Sequence, residues 1–137
     1  MIVIEPWPAA YFEERVAGAA EAQDVPRIAV QYRDGSTPHR ARCHDNVDRW
    51  IDENPSAFAV RGWLISARLG DSWMLEAHSV VRLPDQTRAD ITLQLADQRA
   101  PFLTHVGDDA LFLAAKRCVN QICWPPLMAG GIEGTRI

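Results

Sequence analysis

Two rhythms of apolar and polar positions alternate along this chain, and the changes between them mark its elements. From about Pro8 to Gln23, Ala, Glu, Phe and Val recur at helical spacing behind Pro6 and Pro8, which suit a helix entrance. The segment Ile28 to Tyr32 reads as a short strand closed by the turn signal Asp34-Gly35, and Ser36 to His39 as a loop. A second helix is predicted from near Arg42 to Glu53, because Cys43, Val47, Trp50 and Ile51 fall at i, i+4, i+7 and i+8 and Asn54-Pro55 supplies a stop. Cys43 is therefore expected in its first turn, on the buried stripe.

The rhythm then shortens. Ala57 to Ala67 and Ser72 to Leu83 are rich in β-branched and aromatic residues and are separated by Gly70-Asp71-Ser72, which predicts a β-hairpin. After a turn at Pro84-Asp85-Gln86, Ala89, Ile91, Leu93 and Leu95 alternate with Arg88, Asp90, Thr92 and Gln94, the pattern of a half-buried strand. Asp108 to Cys123 is predicted to be a final helix ended by Pro125-Pro126. Residues 1–128 thus read as one α+β domain, and residues 129–137 as a flexible Gly-containing tail.

At 137 residues, with 47% hydrophobic and 23% charged positions, the chain has enough material for a core without metal or disulfide staples. A net charge of −4 with no Lys/Arg-rich run predicts no nucleic-acid partner. No basic leader and no long apolar segment occur, so a cytoplasmic protein without a membrane span is expected. Three cysteines in such a chain argue against a disulfide framework, and Cys118 and Cys123 read as small apolar residues of the last helix.

Cys43 is different in kind. A thiol at a helix start meets free backbone N–H groups and the positive end of the helix dipole, which stabilise a thiolate. Downstream, His78 and Asp90 lie on consecutive predicted strands. An odd-length loop such as Pro84 to Gln86 puts them on one face as direct or diagonal neighbours, so a base and its orienting carboxylate can touch. Cys43 as nucleophile, His78 as acid and base, and Asp90 as orienter make up a catalytic triad. Asn46, Gln31 and the Cys43 backbone N–H are candidate oxyanion donors, while Trp63 and His105 are candidate walls of a substrate cleft.

The order of a helix-borne cysteine, then His and Asp on adjacent antiparallel strands, resembles the papain-like cysteine hydrolases, including the NlpC/P60 and transglutaminase-like branches. A closer similarity is to a group of small bacterial proteins with Cys-His-x-Asn-Val, Gly-Trp, His-Ser/Ala-Val, Asp-Ile/Val-Thr and Phe-Leu-x-His motifs. Here these are Cys43 to Val47, Gly62-Trp63, His78-Ser79-Val80, Asp90-Ile91-Thr92 and Phe102 to His105. The chain has Leu93 where that group tends to have proline. The papain-like resemblance implies a cysteine-bearing helix packed on an antiparallel sheet and thiol-dependent acyl transfer, with no cofactor and a peptide, protein or small amide as substrate. Two other readings stay open from the residues. One is a non-catalytic pocket for a small ligand or peptide around Trp63 and His78; the other is a divalent metal held by Cys43, His44 and His78 with His105 or Asp90.

Overall fold

The predicted hairpin is the centre of the fold. In a computed structural model, which describes residues 6–40, 42–92, 100–118 and 121–126, strands β1 (Phe58–Leu69) and β2 (Ser72–Arg82) pair antiparallel along nearly their whole length. Gly70, with φ of +62°, takes the left-handed conformation their turn requires. Gly62 to Ile65 and Ala77 to Val81 are consecutively buried, so both faces of the hairpin are covered at its middle. The outer third of β1, Ser66 to Leu69, is exposed.

Three short strands complete the antiparallel sheet. β3 (Arg88–Ala89) pairs with β2 at Val81 and Arg82, and β4 (Phe102–Thr104) pairs with β1 at Gly62 to Leu64. A fifth, β5 (Gln121–Trp124), pairs with Trp73 to Glu76 of β2. β1 occupies one edge of β2, so β3 and β5 share the other. Between Glu76 and Val81 that second edge has no strand partner among the described residues.

Helices lie mainly on one face. α1 (Pro6–Ala17) and α3 (Asp109–Cys118) supply Tyr11, Phe12, Phe112 and Ala115 to a cluster with Trp63, Ile65, Leu75 and Ala77. α2 (Cys43–Glu53) packs over β2, with Val47 against Val81, Ala89 and Ile91. Val47, Val81 and Ile91 are fully buried. At about 1.5–3 kcal/mol for each such side chain, this packing fixes where the helix starts. On the opposite face Phe102 packs with Val60, Leu64 and Val80.

The protein is thus an α+β fold with an antiparallel sheet. Several predicted elements take a different form. The first helix ends at Ala17 and is followed by a short 3-10 turn over Ala19–Glu21. Ile28 to Tyr32 forms no strand; the chain there meets the sheet through the bridge between Arg27 and Asp90, with the Ile28 N–H bonded to the Asp90 carbonyl, and through Ile28 and Val30 packed toward Val81, Ala89 and Ile91. The last helix stops at Cys118, and Cys123 belongs to β5, opposite Met74. Leu93 to Leu95 and the tail from Ala129 lie outside the described residues. No helix among the described residues is long and apolar enough to cross a membrane.

Candidate active site

Strand register decides the first contact. Val81 opposes Ala89 and Arg82 opposes Arg88, an offset that places Asp90 opposite Val80 and therefore diagonal to His78 on the same face. The His78 ring lies 2.7 Å from Asp90, Nε2 to Oδ2. A carboxylate only accepts, so Nε2 carries the hydrogen and Nδ1 is left for another partner. Both residues are buried, at 3% and 5% exposure. The second Asp90 oxygen accepts the Thr92 backbone N–H at 3.0 Å, and its main chain is pinned on both sides by Pro26 and Ile28.

The thiol of Cys43 completes this group. Burial raises its pKa, but hydrogen bonds and charge from the imidazoles of His44 and His78 outweigh that effect and bring it down to about 6. For His78, burial acts downward, while the bonds to Asp90 and Cys43 and their negative charges raise the pKa to about 9. The two shifts run in the directions that favour a thiolate beside an imidazolium.

His44 and Cys43 are neighbours at the start of α2, yet each meets a different residue of β2. His44 Nδ1 lies 2.6 Å from Ser79 Oγ, and the Cys43 thiol interacts with His78. Adjacent residues of a strand point to opposite faces, so the helix start reaches both faces of β2. The stretch of edge between β5 and β3 is where it can do so. The His44 ring also packs edge-on to Phe112, at 5.9 Å between centroids.

Asn46 ties this arrangement together. Its side-chain amide donates to the His39 carbonyl at 2.7 Å and to Thr92 Oγ1 at 2.9 Å, while its oxygen accepts the His39 N–H. Both amide hydrogens are used, so Asn46 has none left for an oxyanion. A closed circuit results: Cys43 meets His78, His78 meets Asp90, Asp90 holds Thr92, and Thr92 is held by Asn46 three residues after Cys43.

The other sequence candidates lie apart from the thiol. Gln31 is exposed on a segment without strand pairing. Trp63 is fully buried on the face opposite His78, and its indole N–H donates to Tyr11 Oη at 2.8 Å. Tyr11 in turn bonds to His105 Nδ1, and His105 Nε2 lies 2.8 Å from the Asp108 carbonyl. Trp63 and His105 therefore belong to a buried structural relay rather than to a cleft wall. With both ring nitrogens engaged, His105 has no lone pair for a metal. Among the described residues no group of three or more His, Cys, Asp or Glu side chains is arranged to hold a metal ion.

Sequence reasoning considered His44 only as a metal ligand, with Cys43, His78 and His105 or Asp90. The signal for its bond to Ser79 is the unpaired edge of β2, which depends on where β5 and β3 pair. Comparison of the chain with protein-family models, with curated proteins and with solved structures gives no match in any of the three.

Proposed function

We propose that this protein catalyses thiol-dependent acyl transfer on an amide carbonyl, with Cys43 as nucleophile, His78 as acid and base, and Asp90 as the residue that orients His78. The observation that carries this reading is the buried His78 ring held 2.7 Å from the Asp90 carboxylate, and the lowering of the Cys43 pKa by that imidazole supports it. A cysteine-bearing helix on an antiparallel sheet that supplies His and Asp is the papain-like arrangement, and the reading takes that arrangement as its template.

The chemistry follows from the charge state. Thiolate sulfur attacks the carbonyl carbon, the C–S bond forms, and the carbonyl π pair moves to oxygen. Arg42 supplies no side-chain cap to α2, so the first-turn backbone N–H groups are available to that oxyanion. The imidazolium of His78 then gives its proton to the departing amine nitrogen as the C–N bond breaks, leaving a thioester. Neutral His78 next takes a proton from water or from an acceptor amine, which attacks the thioester carbon and expels the thiolate. Hydrolysis, deamidation and transamidation share these steps, and peptides, proteins and small amides are the substrate classes they serve.

An activated ester tests the reaction without knowledge of the natural substrate. Mixed with p-nitrophenyl acetate, the protein is expected to release p-nitrophenolate in a burst and to carry acetyl on Cys43, located by peptide mass spectrometry. Cys43→Ala abolishes the burst, and His78→Ala slows it roughly 10²-fold or more. Acetylation of Cys43 no faster than that of free cysteine at the same pH overturns the proposal.

A further inference from the structure

Two consecutive residues of α2 grip the segment that carries Asp90. Val47 packs with Ala89 and Ile91, the two chain neighbours of Asp90. Asn46 reaches one residue further, with its amide nitrogen 2.9 Å from Thr92 Oγ1. The Val47 contact is apolar and sets no direction. The Asn46 contact is a hydrogen bond, which does.

The surroundings of the amide admit one orientation. A backbone N–H only donates and a carbonyl only accepts, so the His39 pair fixes which end of the side chain is oxygen: its N–H lies 3.0 Å from Oδ1 and its carbonyl 2.7 Å from Nδ2. The second Nδ2 hydrogen goes to Thr92, whose hydroxyl oxygen accepts it. Asn46 and Thr92 are 5% and 2% exposed, so these bonds are made away from solvent. Thr92 passes the constraint on through its main chain. Its N–H donates to Asp90 Oδ1 at 3.0 Å, which leaves Oδ2 directed at His78 Nε2, 2.7 Å away. The Asp90 main chain is held separately by Pro26 and Ile28, so what Thr92 adds is the orientation of the carboxylate itself.

We propose that Asn46 and Thr92 are positioning residues for the reaction: the Asn46 amide fixes Thr92, Thr92 fixes the plane of the Asp90 carboxylate, and the helix start that bears Cys43 is thereby locked in register with the His78–Asp90 pair. The proposal rests on the reading of Cys43, His78 and Asp90 as the reacting group. Neither positioning residue touches the substrate. Loss of the link lets the carboxylate turn away from His78, which costs rate at the chemical step and leaves substrate binding in place. Because the same amide holds His39, one side chain sets both the loop that leads into α2 and the strand segment that α2 packs on.

Thr92→Val tests this in the full chain, since it keeps the volume and the backbone N–H but removes the acceptor, and Thr92→Ser puts the hydroxyl back. With p-nitrophenyl acetate, Thr92→Val and Asn46→Ala are each expected to slow the maximal rate of Cys43 acetylation about 10- to 100-fold, with little change in the half-saturating ester concentration. Thr92→Ser recovers most of the rate, and the double variant is no slower than the slower single one. The pH profile of Cys43 alkylation by iodoacetamide, followed on the Cys43 peptide by mass spectrometry, has its midpoint at about pH 6 in the unsubstituted protein and moves upward in Thr92→Val. In ¹⁵N-labelled protein the His78 Nε2–H resonance, downfield because of its short bond to a carboxylate, moves upfield in Thr92→Val and returns in Thr92→Ser. A Thr92→Val protein that is less stable but keeps the parental rate, midpoint and resonance overturns the proposal, as does a Thr92→Ser protein as impaired as Thr92→Val. If His78→Ala still slows acetylation in either case, the triad stands without Asn46 and Thr92. If His78→Ala is acetylated at the parental rate, the triad reading fails and this proposal with it. Should Asn46→Ala not fold, the two Thr92 variants decide the question.

Discussion

Asp90 reaches His78 across a diagonal of the β2–β3 pairing, 2.7 Å from carboxylate to ring, because the Val81–Ala89 register sets the two residues on one face two positions out of step. The geometry makes Asp90 the anchor of the imidazolium, since its charge and its hydrogen bond both help hold the His78 pKa at about 9. Asp90→Asn keeps the shape and removes the charge. The expected result is a lower pKa for His78 and, because the thiolate loses part of its counter-charge, a higher pKa for Cys43. Alkylation of the Cys43 peptide at pH 6.5 should slow several-fold, approaching about tenfold for every pH unit by which the midpoint climbs beyond 6.5. An unchanged alkylation midpoint would mean that Asp90 plays no part in the charge state of the thiol.

Stability should carry the same charge pattern with opposite signs at the two groups. His78 has a folded-state pKa raised above 6.5 to about 9, so its contribution is fully present below pH 6.5 and is lost as pH rises through about 9. Cys43 has a folded-state pKa lowered from 9.0 to about 6, so its contribution is present above pH 9 and is lost as pH falls through about 6. Urea midpoints compared with His78→Gln should therefore converge with the unsubstituted protein on going from pH 6.5 to 9.5. Those compared with Cys43→Ala should converge on going from pH 8.5 to 5. Convergence in the reverse directions would rule out a thiolate–imidazolium pair.

The contact between His78 and Asp90 is readable in the sequence because it depends on local parity: two strands, an odd loop, and side chains that alternate. α2 is readable for the same kind of reason, since Cys43, Val47 and Trp50 repeat at a helical period and Pro55 lies just beyond. What escapes is set by distant pairing. Ile122 and Cys123 continue the apolar rhythm of α3, but Gln121 to Trp124 bond to Trp73 to Glu76 and become a strand. Phe102 to Thr104 is too short to announce itself as β4. Asn46 reads as an oxyanion donor until Thr92 and His39 are brought to it, and His44 reads as a metal ligand until Ser79 of β2 is brought to its ring.

Gly62 sits opposite His78 on β1, beneath the Phe102 ring. A Cβ at this position would come 2.6 Å from Phe102 Cζ and inside contact distance of the Leu103 carbonyl oxygen. The ring can move aside, but the carbonyl belongs to the β1–β4 ladder and cannot move without breaking it. Gly62→Ala is expected to destabilise the protein by about 1–3 kcal/mol in urea denaturation, through overpacking rather than through backbone strain. It should also loosen Phe102, whose ring lies 6.2 Å from His78. A stability within about 0.5 kcal/mol of the parent would show that β4 is not packed on Gly62 in this way.

Tyr11 is the middle member of the relay that takes His105 out of the active site. Trp63 Nε1–H donates to the Tyr11 oxygen, Tyr11 donates to His105 Nδ1, and the His105 Nε2–H goes to the Asp108 carbonyl, a set of roles in which every buried group is satisfied. The phenol is poorly placed to ionise: burial raises its pKa, more than the Trp63 bond and the Arg15 charge lower it. Tyr11→Phe removes one oxygen and strands two partners at once, an indole N–H and an imidazole nitrogen, both inside the core. The expected cost is about 1–3 kcal/mol for each group left unpaired. In a double-mutant cycle, Tyr11→Phe and His105→Gln should be strongly non-additive, because each already breaks the bond the other would break. Since the relay lies on the opposite face of the sheet from His78, the Cys43 alkylation midpoint should stay at about pH 6 in Tyr11→Phe. A midpoint clearly displaced from that value, with the fold retained, would instead couple this relay to the thiol.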